Sequence, residues 1–402
     1  MKILMVNKFL YPAGGAETYI FKLGEHLEKL GHKVEYFGMD SENRCVSNSA
    51  DCYTDNIDFR NSNAIGKLKY SVKSIYSNEA RKKIKIILES FQPDIVHLNN
   101  INFQLTPSII YEIKKHNIPI VQTLHDTQIA CPCHRFYIEH KNQLCTQCEG
   151  GKYYKCTVNK CLQNSAIKSI LASIESYLYH SKGTYNLVDK YICPSRFIAD
   201  VALGAGINSE KTIVLHNFSD NQPALSRNTK GKKYALYFGR LSVEKGIQTL
   251  IEACRELPDI HFVFAGTGPL APLCEGINNI DAVGFKSGSE LLALIENAEF
   301  SICPSECYEN CSMSVVESLS LGTPVIASDL GGTKELVDNE KNGLIFEAGN
   351  RDSLKSAIKK LYNNSELTEK MRAECINNSS YTVEKYTERL LEIYSKLKNG
   401  NG

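Results

Sequence analysis

Three features are missing from this chain of 402 residues, and each absence excludes a class of protein. No apolar run reaches about 18 residues, so we expect no membrane-spanning helix. Residues 1–6 enter a strand-like pattern without the apolar region and cleavage site of a signal peptide, so we expect a cytoplasmic location. The net charge is only +1. Nucleic-acid-binding proteins usually carry a clear basic excess, so we expect no nucleic-acid partner.

The composition, 43% hydrophobic and 23% charged residues, is that of a globular enzyme. The chain is longer than one hydrophobic core usually supports, which predicts two domains. Residues 1–216 contain 26 Lys and Arg against 20 Asp and Glu, a net +6, and residues 217–402 contain 20 against 25, a net −5. The basic first half could face an anionic membrane or a phosphate-bearing substrate, although scattered surface charge explains it equally well.

Short apolar segments alternate with helical patterns through most of the chain, which predicts parallel sheets covered by helices on both faces. The candidate strands are 3–6, 34–37, 94–98, 120–124, 190–193 and 213–215, and then 235–238, 261–265, 300–303, 325–327 and 344–346. The polar segment 217–233 between the two sets is typical of a linker. We therefore predict Rossmann-like domains at 1–216 and 217–380, and a final helix at 381–402 that could pack on either.

Apolar side chains three or four residues apart predict three helices in detail. These sets are Ala16, Ile20, Leu23, Leu27 and Leu30 before Gly31; Ile247, Leu250, Ile251, Cys254 and Leu257 after Gly246; and Tyr386, Leu390, Ile393 and Leu397 after Thr382.

Two loops have the residue types that bind phosphate. Gly14 and Gly15 lie between the first strand and the first helix, where backbone N–H groups and the helix N-terminus attract anions. A plain tight turn explains these glycines equally well. Arg240 and Lys245 follow a strand of the second half, at the sheet edge where ligands bind, and could clamp a diphosphate. Exposed loop cations are the alternative.

Several motifs occur in a fixed order along the chain: "GGAE" at 14–17, "TLHD" at 123–126, "CPSRF" at 193–197, "GRLSVEKG" at 239–246, "FAGTGP" at 264–269, "ECYENCSMSVVES" at 306–318 and "GTPVIASDLGGTKELV" at 322–337. Together they resemble glycosyltransferase family four, whose members have the GT-B fold. The resemblance covers nearly the whole chain. It implies an α/β protein of two Rossmann-like domains that face each other across a cleft.

The resemblance also implies roles for individual residues. Glu309 and Glu317 match the family's E-x7-E pattern, with Glu309 near the donor sugar and Glu317 on the ribose hydroxyls of the nucleotide. A carboxylate suits this task because it accepts two hydroxyl groups at once. The other donor-side matches are Gly14, Gly15, Arg240, Lys245, Gly266, Ser312, Met313, Ser314 and Val315. The resemblance makes His125 an active-site residue near the sugar, with Asp126 either orienting it or capping the next segment, although a lone histidine is often structural. Glu17 is assigned to the acceptor side. Arg196 matches a position lining the cleft, where it could meet the acceptor or a phosphate or form a structural salt bridge.

The activity implied is retaining transfer of a sugar from a UDP- or GDP-linked donor to a saccharide or lipid-linked acceptor, in assembly of a bacterial surface polysaccharide. No catalytic metal or other cofactor is implied, because Arg240, Lys245 and helix N-termini can neutralise the leaving diphosphate. Asn310 and Cys311 replace the glycine and phenylalanine that many relatives carry after the first glutamate, so sugar selection could differ. A GT-B phosphorylase or sucrose-type enzyme and a non-enzymatic nucleotide-binding module are the alternatives.

Six of the fifteen cysteines fall between residues 131 and 161. In a cytoplasmic chain this favours metal binding or reduced thiols over disulfides. The spacing predicts a structural zinc site, rather than an iron–sulfur cluster, formed by Cys145, Cys148, Cys156 and Cys161, with Cys131, Cys133 and His134 as alternative ligands. Reduced thiols in a loop are the other interpretation.

Residues 66–91 contain seven Lys and Arg against Glu79 and Glu89. The interleaved Leu68, Ile75, Ile84 and Ile87 make the pattern amphipathic. Such a surface could lie on anionic lipid at the inner face of the plasma membrane, although a solvated helix face is the usual cause of a charge run.

Overall fold

The structure is a computed structural model that describes residues 1–56, 71–221, 232–377 and 381–400. The chain divides into two compact units. Unit 1 comprises Met1–His216 together with Val383–Gly402, and unit 2 comprises Asn217–Thr382. Most of the predicted linker, 222–231, lies outside the described residues.

Unit 1 is built on a six-stranded sheet in the order β2-β1-β3-β4-β7-β8, with every neighbouring pair parallel. Its strands are β1 (Lys2–Val6), β2 (Lys33–Phe37), β3 (Ile95–Leu98), β4 (Ile120–Thr123), β7 (Lys190–Cys193) and β8 (Thr212–Val214). A separate antiparallel hairpin of β5 (Tyr137–Ile138) and β6 (Gln143–Leu144) lies in the cysteine-rich insertion. Its helices are α1 (Gly15–Lys29), α2 (Asn78–Phe91), α3 (Ser108–Lys115), α4 (Tyr154–Val158), α5 (Ala166–Ser181), α6 (Arg196–Gly204) and the C-terminal α12 (Val383–Lys398).

The first predicted helix is correct except at its end. Ile20, Leu23 and Leu27 are buried in the core, as the apolar spacing predicts. Leu30 is 52% exposed, so its assignment to the same face is wrong. The helix ends at Lys29, and Leu30 caps it with its N–H bonded to the His26 carbonyl. The periodicity of an α-helix does not extend past its last turn.

The core of unit 1 explains part of the amphipathic pattern at 66–91, and membrane contact by this segment stays a prediction. Residues 66–70 lie outside the described residues. Ile84 and Ile87 are completely buried on the inner face of α2, which packs against α3. These two side chains therefore cannot contact lipid. The lysines of the helix occupy its outer face, which is the ordinary arrangement of a surface helix.

Unit 2 is a second parallel sheet of six strands, in the order β11-β10-β9-β12-β13-β14. Its strands are β9 (Ala235–Phe238), β10 (Phe262–Ala265), β11 (Ile280–Gly284), β12 (Phe300–Cys303), β13 (Val325–Ser328) and β14 (Gly343–Phe346). Its helices are α7 (Ile247–Arg255), α8 (Gly288–Asn297), α9 (Met313–Ser320), α10 (Arg351–Tyr362) and α11 (Ser365–Asn377). The expected α/β class with two parallel sheets is thus confirmed.

One strand of unit 2 is absent from the sequence prediction. Strand β11 forms the edge of the sheet, and only Ile280 of its five residues is buried. An edge strand with one buried residue lacks the apolar run that identifies the central strands. In contrast, the five apolar residues predicted for α7 and the turn after it are all buried in the core.

The C-terminal helix α12 packs on unit 1, against α1. Two of its tyrosines reach into the core, where the Tyr386 hydroxyl lies 2.6 Å from that of Tyr19 and the Tyr394 hydroxyl lies 2.5 Å from Nδ1 of His97. Burial lowers the pKa of His97 to about 3, so its imidazole is neutral.

No helix in the parts of the chain that the structure describes combines the length and the apolar character needed to cross a membrane.

Candidate active site

The candidate donor site lies at the carboxyl edge of the unit 2 sheet, where β9 and β12 are neighbours but their chain connections run in opposite directions. Ligands of open parallel sheets bind at such a switch point. The loop after β9 contains Arg240 and the 3₁₀ turn Val243–Lys245, and the loop after β12 contains Glu309. The topology therefore brings together two motifs that are more than 60 residues apart in the chain.

Lys245 and Glu309 form an ion pair in which the ammonium group donates to Oε1 of the carboxylate. The same oxygen accepts a hydrogen bond of 2.8 Å from the Ser305 hydroxyl. Burial by itself would raise the pKa of Glu309, but the charge of Lys245 outweighs burial and lowers it. Burial likewise opposes the charge on Lys245, whose pKa the carboxylate nevertheless raises. Both groups are therefore charged at neutral pH, with 32% and 16% of their side chains exposed.

The backbone around this pair is tightly packed. Gly246 has a φ of +70°, and a Cβ there would lie 1.9 Å from the carbonyl oxygen of Pro304. The Glu306 N–H donates to the Glu244 carbonyl at 2.9 Å, which ties the same two loops together. The glycine thus allows the lysine loop to lie directly on the glutamate loop.

A third loop supports Glu309 from the other side. Gly331, at a φ of +60°, approaches so closely that a Cβ would lie 2.7 Å from the Glu309 carbonyl oxygen. The N–H of Gly332 donates to that carbonyl at 2.8 Å. The two glycines after β13 therefore hold the backbone of Glu309 in place.

Helix α9 begins directly after the loop that contains Glu309, with Ser312 as its N-cap. The Ser312 side chain makes no capping hydrogen bond, so the N–H groups at Met313 and Ser314 are suited to an anion. Glu317 lies one turn further along, and burial, with the neighbouring Asp220, raises its pKa to about 7. Within the described residues, Glu317 makes no ion pair with Arg240 or Lys245.

Arg240, in the same loop as Lys245, lines an open pocket of about 430 Å³. The pocket also includes Gly266, Phe285 and Lys286, from the loops after β10 and β11. A Cβ at Gly266 would lie 1.8 Å from the carbonyl oxygen of Gly239, so these loops approach backbone to backbone. Phe285 is 71% exposed and offers an aromatic face to a flat ligand.

His125 follows β4 in unit 1, and its Nε2 lies 2.8 Å from Oδ1 of Asn99. Burial lowers the pKa of His125 to about 4, so the ring is neutral and its Nε2–H donates to Asn99. The Tyr19 and His125 rings pack edge to face, with their centroids 4.9 Å apart. Asn99, at the end of the neighbouring strand, is the orienting residue that sequence reasoning missed. The only signal was its position just after a predicted strand.

Asp126 does not orient His125. Its Oδ1 accepts from the N–H of Gln128 at 2.9 Å, and its Oδ2 lies 3.3 Å from Nδ1 of His134. Of the two roles considered for Asp126, capping the next segment is the one present. His134 therefore faces a carboxylate rather than the cysteines.

The other predicted positions in unit 1 lie near its carboxyl edge. Gly14 is the extended N-cap of α1, and Gly15 is its first residue. Glu17 is only 4% exposed and accepts a hydrogen bond of 3.0 Å from Asn7, so little of its surface can meet a ligand. Arg196 is the exposed first residue of α6.

Glu175 is a buried carboxyl group that the sequence did not single out. It lies on α5, 1% exposed, with Oε1 accepting from Asn102 at 3.0 Å and with no partner for Oε2. Burial, followed by the negative charge of Asp126, raises its pKa to about 8. Glu175 is therefore largely protonated at neutral pH.

The six cysteines of the insertion lie close together in space. The sulfur atoms of Cys131 and Cys133 are 3.4 Å apart. Burial, and then the neighbouring thiols Cys131, Cys161 and Cys145, raise the pKa of Cys148 to about 12. Nevertheless, no three His, Cys, Asp or Glu side chains among the described residues are arranged to hold a metal ion. The zinc site stays a prediction.

Two family models identify the chain as a glycosyltransferase. A family model described as Glycosyltransferase Family 4 matches residues 13–222, and one described as Glycosyl transferases group 1 matches residues 219–380. The chain belongs to Glycosyltransferase Family 4, which confirms the resemblance inferred from the ordered motifs.

Similar proteins span nearly the whole chain. An uncharacterized glycosyltransferase of Methanocaldococcus jannaschii is 24% identical over 88% of this chain and 87% of its own. An uncharacterized 42.6 kDa protein in the cps region of Klebsiella pneumoniae is 23% identical over 84% and 87%. Among solved structures, sucrose-phosphate synthase of Thermosynechococcus elongatus has a TM-score of 0.70 at 17% identity, covering 99% of both chains. Anabaena HepE, solved with UDP-glucose, has a TM-score of 0.67 at 17% identity, covering 98% of this chain and 100% of its own. These similarities confirm the GT-B fold.

The contact between Gly246 and Pro304 predicts the effect of a single methyl group. We expect Gly246→Ala to lower the free energy of unfolding by about 2 kcal/mol or more, since it combines a strained φ with a clash. Gly276→Ala is the matched control, because Gly276 has a φ of +73° but open space around its Cβ position. Chemical denaturation measures both. Equal losses in the two variants would show that backbone strain alone matters and that the loop contact does not.

Buried Glu175 predicts a pH dependence of stability. The unfolded chain releases this proton near pH 4.5 and the folded chain near pH 8, so stability falls as pH rises through that window. Between about pH 5 and pH 8 the free energy of unfolding of the wild type should fall, and we expect Glu175→Gln to reduce that fall by about 2 kcal/mol or more. Urea denaturation at several pH values measures this, with exposed Glu149→Gln as the control. Parallel curves for the wild type and Glu175→Gln would contradict the assignment.

Proposed function

We propose that this protein is a retaining glycosyltransferase that moves a sugar from a nucleoside-diphosphate sugar to an acceptor hydroxyl. The observation that carries the proposal is the Lys245–Glu309 pair, held between three loops next to the N-terminus of α9. A cation and a carboxylate in this arrangement suit the two parts of such a donor. The ammonium group faces a diphosphate, and the carboxylate accepts sugar hydroxyls.

The groups of this site can lower the activation barrier mainly by stabilising the negative charge that develops on the leaving group. When the bond between the anomeric carbon and the phosphate oxygen breaks, its electron pair remains on the diphosphate. Lys245, Arg240 and the N–H groups at the start of α9 supply positive charge for that oxygen. We propose that these groups do so without a divalent metal ion.

Retention follows if the acceptor attacks from the face that the diphosphate leaves. The acceptor oxygen bonds to the anomeric carbon, and its proton passes to the departing phosphate oxygen, so no enzyme nucleophile is needed. Lys245 and Ser305 both bind Oε1 of Glu309 and so fix the orientation of its carboxylate. Its role in this proposal is to hold the sugar.

His125 contributes as a neutral hydrogen-bonding group. With Nε2–H donated to Asn99, its Nδ1 carries a lone pair that can accept a hydrogen bond from a sugar hydroxyl. The low pKa of His125 maintains this state at neutral pH.

The donor and acceptor classes are proposed from the pocket and the relatives. The open pocket at Arg240 and Phe285 suits a nucleotide base and its phosphates. HepE was solved with UDP and with UDP-glucose, which favours a UDP-linked donor. The Klebsiella relative lies in a cps region, which favours a saccharide or lipid-linked acceptor in surface polysaccharide assembly.

A screen of UDP- and GDP-sugars for hydrolysis by the purified protein tests this proposal. With the best donor, we expect Lys245→Ala to lower kcat by roughly 100-fold or more, because it removes charge stabilisation of the leaving group. We expect Glu317→Ala to raise the donor KM roughly ten-fold, because it removes hydrogen bonds to the ribose. The exposed Lys359→Ala and Glu366→Ala are matched controls in unit 2.

Three outcomes would contradict the proposal. Unchanged kinetics in both active-site variants would separate these residues from the donor. Sugar release that requires inorganic phosphate would indicate a phosphorylase. Titration heat with UDP or GDP, without turnover of any donor, would indicate a binding module.

We also propose that the cysteine insertion binds a structural zinc ion. Four thiolates at about 2.3 Å from one ion lie about 3.8 Å from each other, close to the 3.4 Å between Cys131 and Cys133. Because Cys131 and Cys133 belong to the cluster, they are as suited to the ligand set as the later cysteines.

Metal analysis of protein purified without added zinc measures this. We expect about one zinc ion per chain, lost with Cys161→Ser, and a lower melting temperature in chelator. Cys45→Ser is the control, since Cys45 lies outside the cluster. Almost no bound metal in the wild-type protein would overturn the zinc proposal and leave reduced thiols.

A further inference from the structure

A second open pocket, of about 360 Å³, lies in unit 1 beside the cysteine-rich insertion. We call it the insertion pocket. Lys8, from the loop after β1, and Asp126, from the loop after β4, line one part of it, and side chains from 133–139 and 161–163 line the rest. The pocket is large enough for a small molecule, and none of the residues assigned to the donor or the acceptor lines it.

The insertion pocket lies next to the active-site histidine. Asp126 directly follows His125 in the chain, and it also lines the small polar cavity that includes His125 and Asn99. The N–H of Lys8 donates to the Asn100 carbonyl at 2.8 Å, which joins the loops after β1 and β3. Because the carboxyl ends of parallel strands meet at one edge of a sheet, the pocket and His125 share that edge.

Hydrogen bonds hold the insertion against the loop after β4. The N–H of Thr127 donates to the His134 carbonyl at 3.3 Å, and Oδ2 of Asp126 lies 3.3 Å from Nδ1 of His134. His134 and Phe136 have φ values of +73° and +49°, which residues other than glycine rarely adopt. Strained backbone of this kind is concentrated at ligand sites, because it is retained where it positions side chains.

The charged groups of the insertion pocket balance each other. Lys8 and Arg135 are positive, Asp126 and Glu139 are negative, and Arg135 forms an ion pair with Glu139. A diphosphate would therefore meet two carboxylates as well as two cations, and like charges placed together are costly. The balance disfavours an anionic ligand and favours an uncharged one.

The same groups suit the hydroxyls of a sugar, which both donate and accept hydrogen bonds. The carboxylates of Asp126 and Glu139 can only accept, and the Lys8 ammonium can only donate. Gln163 adds an amide that does both, and Leu162 adds apolar surface. The Asp126 side chain is 31% exposed and that of Glu139 is 55% exposed, so a ligand can reach both carboxylates.

We infer that the insertion pocket binds an uncharged sugar residue of the acceptor, so that the cysteine-rich insertion selects the saccharide that this enzyme extends. The inference rests on the proposed sugar transfer. His125 holds the donor sugar in that proposal, and the acceptor hydroxyl must be brought close to the same point. A pocket beside His125, built from unit 1 alone, leaves the donor site of unit 2 free for the nucleotide.

A transfer assay with the full-length protein tests the inference. The donor is the one that the hydrolysis screen selects. The neutral probes are p-nitrophenyl glycosides of glucose, galactose, mannose and N-acetylglucosamine, and p-nitrophenyl glucuronide is the anionic probe. We expect transfer to at least one neutral glycoside and little transfer to the glucuronide.

Two variants remove polar groups from the insertion pocket. With the best neutral glycoside, we expect Lys8→Ala and Glu139→Gln each to raise the acceptor KM about ten-fold, because each removes a charged hydrogen-bonding group. The donor KM should stay that of the wild type, which separates loss of an acceptor contact from damage to the donor site. Lys82→Ala and Glu42→Gln are matched controls, since both side chains are exposed and neither lines the pocket.

A third variant fills the pocket instead of removing a contact. Gln163 is exposed at the pocket, so Gln163→Trp should block the acceptor and lower transfer more strongly than either polar variant. Gln147→Trp is the control, because Gln147 is an exposed residue of the same insertion that does not line the pocket. Unchanged thermal unfolding in every variant excludes misfolding as the cause of lost transfer.

The outcomes separate this inference from the function on which it rests. Turnover of no donor would overturn the proposed function and the inference with it. Donor hydrolysis without transfer to any neutral glycoside would overturn only the inference, and so would transfer to the glucuronide alone. An acceptor KM that is the same in the wild type, Lys8→Ala, Glu139→Gln and Gln163→Trp would place the acceptor elsewhere.

Discussion

The ion pair between Lys245 and Glu309 is the constraint on which the donor side of this protein depends. Each charge is partly buried, and each keeps its ionised form because the other is present. Removing one partner would leave a buried charge unpaired, which usually costs more than the pair itself contributes. The surrounding backbone serves this pair: Gly246 allows one loop to lie on another, and Gly331 and Gly332 hold the glutamate from a third. The proposed donor chemistry of unit 2 therefore depends on the packing of these three loops.

Unit 1 positions its buried polar side chains through hydrogen bonds between neutral groups. His97 and His125 both have pKa values lowered by burial, and each is held by a hydrogen bond to an uncharged partner, Tyr394 and Asn99 respectively. Tyr394 comes from the C-terminal helix α12, so this helix completes part of the buried core of unit 1. A polar interior of this kind requires every partner, because an unmatched buried group is costly.

Much of the architecture was predictable because parallel strands between helices leave a strong pattern. The central strands are buried on both faces and appear as short apolar runs, and α7 buries every residue that its spacing indicated. The misses have local causes. Strand β11 is an edge strand with one buried residue, and Leu30 lies past the last turn of its helix. Periodicity shows that a face is apolar, but it does not show what covers that face.

The sequence by itself determined the family, the two parallel sheets and the residues at their carboxyl edges, because ordered motifs and apolar spacing are local properties. Only the tertiary structure decided which of those residues are partners. Lys245 forms an ion pair with Glu309, whereas Glu317 lies near Asp220. His125 is hydrogen-bonded to Asn99, whereas Asp126 contacts His134. It also decided that the isoleucines of α5 face outward. Such pairings and exposures depend on distances between elements far apart in the chain, and no spacing along one segment encodes them.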